Sequence, residues 1–369
     1  MFGTTRTAAI KFISALMLGS LLVVSSTFAT RAVAATPEPV QSCASGQVSG
    51  AGHLALVSYN KAQQAIYLTS ADGMPRACVA RLASTAQAQL PSWSPNGQYI
   101  AFVLAYSKDG GLSQAFTLYV VNADGTNPHP LSSPAPGLNY SWSPDSQHIV
   151  YSPQGMLTIT DLVGNSRPVL SKPEAGDFSP AWSPDGKLIA YTRDDGLFVV
   201  HADGSNPQNV SNLPSAANPV PAATFADQYP VWSPDSQHIA FRSTRDSSSK
   251  VYTVDPDGGH LITVSTLKMS SNDHTIVWSP DSQQLAFTSQ SGTNSYVVLV
   301  DADGSNAHRL TKNTSNETHP AWSKDGKWLA IQVALNQLQN VYVVAVNGTT
   351  QLDLTSSGAL SDVTPFWQP

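Results

Sequence analysis

The feature that most constrains this chain is a five-residue phrase that keeps returning. Trp-Ser-Pro-Asp-Gly stands at residues 182–186, and close copies begin at Trp93, Trp142, Trp232, Trp278 and Trp322. A truncated last copy is Pro365-Phe366-Trp367. These tryptophans lie 49, 40, 50, 46, 44 and 45 residues apart, the period of a propeller blade built from four short strands. Proline fixes φ, the acid or amide bonds nearby backbone and glycine accepts positive φ, so each Ser-Pro-Asp-Gly makes a tight turn. A strand with period-two alternation follows each turn: Ile100 and Phe102, Ile149 and Tyr151, Ile189 and Tyr191, Ile239 and Phe241, Leu285 and Phe287, Leu329 and Ile331. A small or branched residue sits between the members of each pair, which suits twisted sheets stacked at close spacing. Asp-Gly or Asn-Gly dipeptides, together with Asp-Ala-Asp-Gly variants, end a third strand at Gly125, Gly204, Gly258, Gly304 and Gly348.

The two ends of the repeat are each incomplete. Residues 53–58 match the strand that follows a Trp-Ser-Pro-Asp turn but have no such turn before them, whereas Asp362 to Trp367 forms an innermost strand with no blade after it. The fragments complete one another only in a closed ring. The expectation is therefore an all-β chain: a seven-bladed β-propeller of four-stranded antiparallel blades over residues 52–369, in which the N- and C-terminal strands share one blade. Such closure removes the exposed sheet edges of a linear array.

Before this ring, Arg6 and Lys11, an apolar run from Phe12 to Val24 and Ala32-Val33-Ala34 read as a secretory signal peptide over residues 1–34. Residues 35–51 read as a linker. The expected location is periplasmic or extracellular, without stable membrane insertion once the signal is removed, because the apolar run is short and has no successor. The net charge of −6 and the lack of a basic stripe argue against a nucleic-acid partner. The two cysteines, Cys43 and Cys78, are candidates for a disulfide in an oxidising compartment.

Aligned on the tryptophans, five consecutive blades carry a carboxylate five residues upstream: Asp177, Asp227, Asp273, Glu317 and Asp362. Ala88 and Gly137 hold the other two positions. Residues preceding the innermost strands should ring the channel mouth, where gathered acids could hold a cation or a basic group. Capping of the connecting loops is the plainer use of the same acids. His274 and His319 lie beside Asp273 and Glu317, so a divalent cation is conceivable there, although no metal or cofactor is implied outright. The seven tryptophans Trp93, Trp142, Trp182, Trp232, Trp278, Trp322 and Trp367 read as packing between blades. No catalytic residue is assigned, since there is no Gly-x-Ser-x-Gly elbow.

The repeated Pro-x-Trp-Ser-Pro-Asp-Gly with Ile-Ala-Phe or Ile-Ala-Tyr after it, and the later Asp-Gly hairpin, resembles the TolB-type propeller repeat, a cousin of the WD repeat, across about residues 52–368. Lys324 in place of proline and Asn96 in place of aspartate depart from the pattern. The resemblance implies an exported, non-enzymatic interaction platform that holds a protein or peptide on its variable-loop face, and a monomer is expected. The alternatives are a metal-assisted polysaccharide lyase or hydrolase working at the channel mouth, and the propeller portion of a prolyl-oligopeptidase-like peptidase.

Overall fold

In a computed structural model of the chain, residues 40–369 are described except for 44–53, 60–63, 71–75, 84–85, 108–113, 136–137, 171–175, 194–195, 212–225, 247, 271–272, 274, 312–314, 336–337 and 356–360. The segment read as a signal peptide, most of the linker and His274 lie outside the described residues.

Seven antiparallel sheets follow one another. Blade 4 illustrates the plan: an innermost strand Asp177–Trp182, a second strand Leu188–Arg193, a third Gly196–His201 and a short outer strand Gln208–Asn209. Blade 1 draws its strands from both ends of the chain. Ser361–Trp367 pairs with Leu54–Tyr59 as its innermost strand, with Leu54 opposite Trp367 and Ser58 opposite Asp362. Its outer edge gains a fifth strand, Gln41–Ser42, paired with Ala80 and Arg81. These two residues belong to the stretch that the sequence suggests is linker. Cys43 follows directly and is bonded to Cys78, so a covalent tie holds the added strand to the sheet it borders.

The turn after each innermost strand works as its residue types dictate. In blade 4, Ser183 Oγ donates to Asp185 Oδ1 (2.7 Å), Asp185 Oδ1 also accepts Lys187 N–H (3.1 Å), and Ser183 Oγ accepts Leu188 N–H (2.9 Å). The same Ser–Asp pairing recurs at Ser143/Asp145, Ser233/Asp235, Ser279/Asp281 and Ser323/Asp325, with Ser94/Asn96 in blade 2. The fifth turn position always has positive φ: 69°, 79° and 68° at Gly97, Gly186 and Gly326, and 60°, 61° and 63° at Ser146, Ser236 and Ser282.

The core lies between the blades. The alternating large residues are sealed there, with Tyr191, Phe102, Phe241 and Phe287 among the largest side chains fully buried. Trp142 packs with Ala101, Val103, Leu118 and Val120 of blade 2 as well as Ile149 and Tyr151 of its own blade. Trp232, Trp278 and Trp367 each donate Nε1–H to a carbonyl of the preceding blade, at Ala181 (2.9 Å), Val231 (3.1 Å) and Ala321 (3.1 Å). The last of these crosses the ring closure. One indole thus supplies apolar area and a directional bond, as a buried tryptophan should.

Candidate functional site

Strand direction sets two unlike faces. The Ser-Pro-Asp turns and the Asp-Gly hairpins share one, and the loops between second and third strands share the other with the links between blades. The first face is uniform from blade to blade. The second varies, and variation on a rigid frame is where binding residues concentrate.

The four upstream carboxylates whose side chains are described stand at the variable face but are buried. Asp177 and Glu317 are wholly inaccessible, and Asp227 and Asp273 nearly so. Each is met from within. Asp177 receives Arg193 through two bonds, Nε to Oδ1 at 2.6 Å and Nη2 to Oδ2 at 3.2 Å. Asp227 receives Arg245 Nη2 on both oxygens, at 3.0 and 2.8 Å. Both guanidinium groups also lie over aromatic rings, Arg193 over Tyr191 and Phe198, Arg245 over Phe241 and Tyr252. Glu317 accepts the Thr311 hydroxyl and, at 3.5 Å, Val297 N–H. The backbone of Asp362 pairs opposite Ser58.

Asp273 is the most heavily bonded. Its Oδ1 accepts Thr275 N–H (3.0 Å) and the Thr275 hydroxyl (2.5 Å), while Oδ2 accepts the Thr288 hydroxyl (2.5 Å) and His319 N–H (2.7 Å). Burial pushes its carboxyl up, but the His319 side chain, the His319 N–H and the two threonines outweigh that and hold it below the usual carboxylate range. His319 Nε2 lies 3.9 Å from Oδ1. Asp273 and His319 are therefore brought together, whereas Asp177 and Asp227 are committed to their own arginines. Among the described residues, no group of three or more His, Cys, Asp or Glu side chains is placed to hold a metal ion.

A column of hydroxyls supports these acids. In three blades a hydroxyl shortly after the outer strand accepts a backbone N–H of the third strand: Leu118 N–H donates to Ser132 Oγ (2.9 Å), Leu197 N–H to Ser211 Oγ (2.9 Å) and Val341 N–H to Thr355 Oγ1 (2.8 Å). Ser211 Oγ in turn donates a hydrogen bond to Asp227 Oδ2 of the next blade (2.5 Å), and the Thr311 hydroxyl donates to Glu317. Asp227, Asp273 and Glu317 are thus struts between blades. The signal for this column was present as Leu-Ser, Val-Ser and Leu-Thr pairs after the hairpins of blades 2 to 7.

The innermost strands are strained three residues before the tryptophan. Leu90, Ser179, Tyr229, His319 and Thr364 all have φ between 48° and 55°, and at each the ladder slips in a β-bulge. Bulges of this kind re-aim side chains and gather at functional rims. Exposed apolar residues mark the same face. Leu90 (50% accessible) and Phe178 (52%) lie on innermost strands, while Met156, Leu335 and Leu338 lie on loops or hairpin tips between second and third strands. Nearby, Arg242 donates from Nε to Ser249 Oγ (2.5 Å) and from Nη1 to Gln228 Oε1 (2.6 Å).

Residues 100–277 match the family model described as the TolB beta propeller domain. An uncharacterized protein, Atu1656, of Agrobacterium fabrum (strain C58 / ATCC 33970) is 26% identical over 48% of this chain and 76% of its own length. Among solved structures, a puromycin hydrolase S511A mutant complexed with PGG superposes with a TM-score of 0.59 at 13% identity, covering 83% of this chain and 52% of the hydrolase. An oligogalacturonate lyase from Vibrio parahaemolyticus gives 0.54 at 12% identity, covering 83% and 86%. At such identities these likenesses speak for the fold alone.

Proposed function

The chain carries TolB-type β-propeller repeats, and from that premise we propose that it is an exported, non-enzymatic platform that holds a protein or peptide partner on its variable-loop face. The observation that carries this reading is the grouping of Leu90, Met156, Phe178, Leu335 and Leu338, all exposed, on the variable face or on the innermost strands that lead to it. Exposed apolar surface of this kind costs solubility unless something uses it. The uniform face presents short turns that are mostly polar, and Val163, exposed on the blade 3 hairpin, provides an apolar control there. In this reading the carboxylates Asp177, Asp227, Asp273 and Glu317 position the mouth loops instead of touching the partner, because each is already bonded and buried. Export rests on the reading of residues 1–34 as a signal peptide. No helix of the described residues is long and apolar enough to cross a membrane.

The metal-assisted lyase reading has narrower support. His319 and Asp273 are adjacent, yet all four bonds accepted by Asp273 come from protein donors, which leaves little lone-pair capacity for an ion. Photo-crosslinking residues placed at Phe178, Leu338 and, as a control, Val163 on the uniform face test the two readings in the producing cells. Adducts with one protein from the first two positions and none from Val163 are expected. Elemental analysis showing a stoichiometric divalent metal, together with cleavage of oligogalacturonate, would replace the platform by the enzyme.

A further inference from the structure

We propose that Arg242, at the variable-loop end of blade 5, is the receptor for a carboxylate carried by an extended, apolar peptide. This deepens the platform reading and rests on it. Three arginines stand near this end of blades 4 and 5, and two of them are neutralised. Arg193 is spent on Asp177 and Arg245 on Asp227. The third is held differently. Arg242 has only neutral partners, Ser249 Oγ from the following loop and Gln228 Oε1 from the innermost strand opposite. Among the described residues, no carboxylate lies within ion-pair reach of it.

This arrangement is costly unless it is used. A partly buried cation loses hydration and, without a counter-charge, recovers little of it. Burial indeed pulls the Arg242 guanidinium below the ordinary arginine range, with the nearby Tyr229 hydroxyl acting in the opposite sense. The two neutral bonds fix the orientation of the fork, and three of its five N–H groups keep no acceptor among the described residues. A planar fork held in place matches a carboxylate bidentately. A phosphate dianion would ask for more than one cation, and the nearest lysine of this blade, Lys250, is taken up by Asp246.

The surroundings select a peptide over an acidic sugar. Gln228, which orients Arg242, sits four residues before Trp232, and the corresponding residue of the neighbouring blade, four before Trp182, is Phe178, half exposed. Tyr229 follows Gln228 within the bulge, its backbone at φ 55°. A polyuronide carries a charge on every ring and little apolar surface, whereas this face offers a guanidinium with no carboxylate in reach among the described residues and, on blades 3 and 4, the exposed side chains of Met156 and Phe178. A Glu or Asp flanked by apolar residues answers both.

The test is fluorescence anisotropy with labelled hexapeptides of Leu and Phe bearing one Glu, their Gln and Lys counterparts, and trigalacturonate and inorganic phosphate as competitors. For the full chain at low salt, Glu peptides should bind at least about tenfold more tightly than Gln peptides, the range of a charge-assisted bidentate pair. R242Q should bring the two within about twofold, R242K should fall between, and R309Q, an exposed site on an outer strand, should leave the preference intact. Each variant is checked by thermal melting, and R242K carries the test should R242Q melt early. Equal binding of Glu and Gln peptides, an unchanged preference in R242Q, or competition by trigalacturonate or phosphate at lower concentration than by Glu peptides would each overturn the assignment. Charge-blind peptide binding removes Arg242 from its role and leaves the platform standing, whereas no peptide binding at all counts against both.

Discussion

Single residues in this protein hold backbone geometry that glycine would otherwise hold, and they do it where a second bond compensates. Ser146, Ser236 and Ser282 have positive φ in their turns, and each hydroxyl accepts a backbone N–H from the preceding blade or its neighbour: Asn96 N–H (3.0 Å), Asp185 N–H (3.0 Å) and Asp235 N–H (3.1 Å) respectively. The Ser236→Ala variant keeps the strained backbone and loses the bond, so it should lower stability by about 1 to 2 kcal/mol in urea melts. The Ser236→Gly variant loses the bond but relieves the backbone and should cost less. The buried ion pair behaves more severely. Asp227→Asn leaves Arg245 without its counter-charge in a nearly closed site, and a loss of about 3 to 5 kcal/mol is expected from the same melts. Asp273 supplies a pH dependence. Its folded carboxyl is held below the usual range, so the unfolded chain binds the proton first and the contribution is fully present only above the unfolded value, about 3.9. As pH falls from 5 towards 3 the wild type should lose stability more steeply than Asp273→Asn, and parallel slopes would remove Asp273 from the account. The sequence pointed to these acids through their register but not to their burial, because the arginines that meet Asp177 and Asp227 lie 16 and 18 residues further on with no periodic partner in other blades.

At the scale of the element, the innermost strand and its turn were the most legible parts of the chain, since proline, acid and glycine fix a turn locally. The bulge in that same strand was not legible. Leu90, Tyr229, His319 and Thr364 are not residues that announce positive φ, and the conformation is imposed by pairing with the blade on either side. Thr364 N–H, for example, donates to Gln332 Oε1 of blade 7 at 3.2 Å. Thr364 is also the most expensive member of the set. A β-branched residue at φ 48° is strained, and its hydroxyl is buried without a partner among the described residues. Replacing it by glycine relieves both terms at the expense of unfolded-state entropy, so Thr364→Gly should raise stability by roughly 1 kcal/mol. A clear loss in chemical denaturation would mean that the bulge is held by the threonine methyl and not in spite of it. The hydroxyl column was legible only in outline, because a Ser or Thr after an apolar residue is common and its bonding to Asp227 or Glu317 depends on the neighbouring blade.

Over the whole molecule, ring closure was legible from the two incomplete ends of the chain, because two partial blades have only one way to become a whole one. Ser361–Trp367 closes the ring by pairing with Leu54–Tyr59 and by packing Trp367 beside Leu54, Ala321 and Ala330 of the blade 7 interface. Phe366 meets the ring of Trp93 on the other side. The Cys43–Cys78 bond, spanning 35 residues, ties the opposite edge of the same blade and should contribute about 3 to 4 kcal/mol in the loop-entropy account. Blade 1 is therefore held at both edges, by a strand within and a disulfide without. Removal of residues 361–369 leaves Leu54–Tyr59 as an open edge beside the channel and strips the cover from Leu54 and Ala55, which are fully buried in the intact ring. A truncated chain should then melt at least about 10 °C lower or aggregate through the open edge. A synthetic peptide of residues 359–369 added in excess should restore the melting temperature, since strand addition at a sheet edge supplies the missing ladder. Rescue should fail when the peptide carries Trp367→Ala, because the indole provides both the apolar plug and the bond to Ala321. Unchanged melting of the truncated chain would mean that the last strand covers the ring without closing it, and that the six remaining blades with a four-stranded first sheet are sufficient on their own.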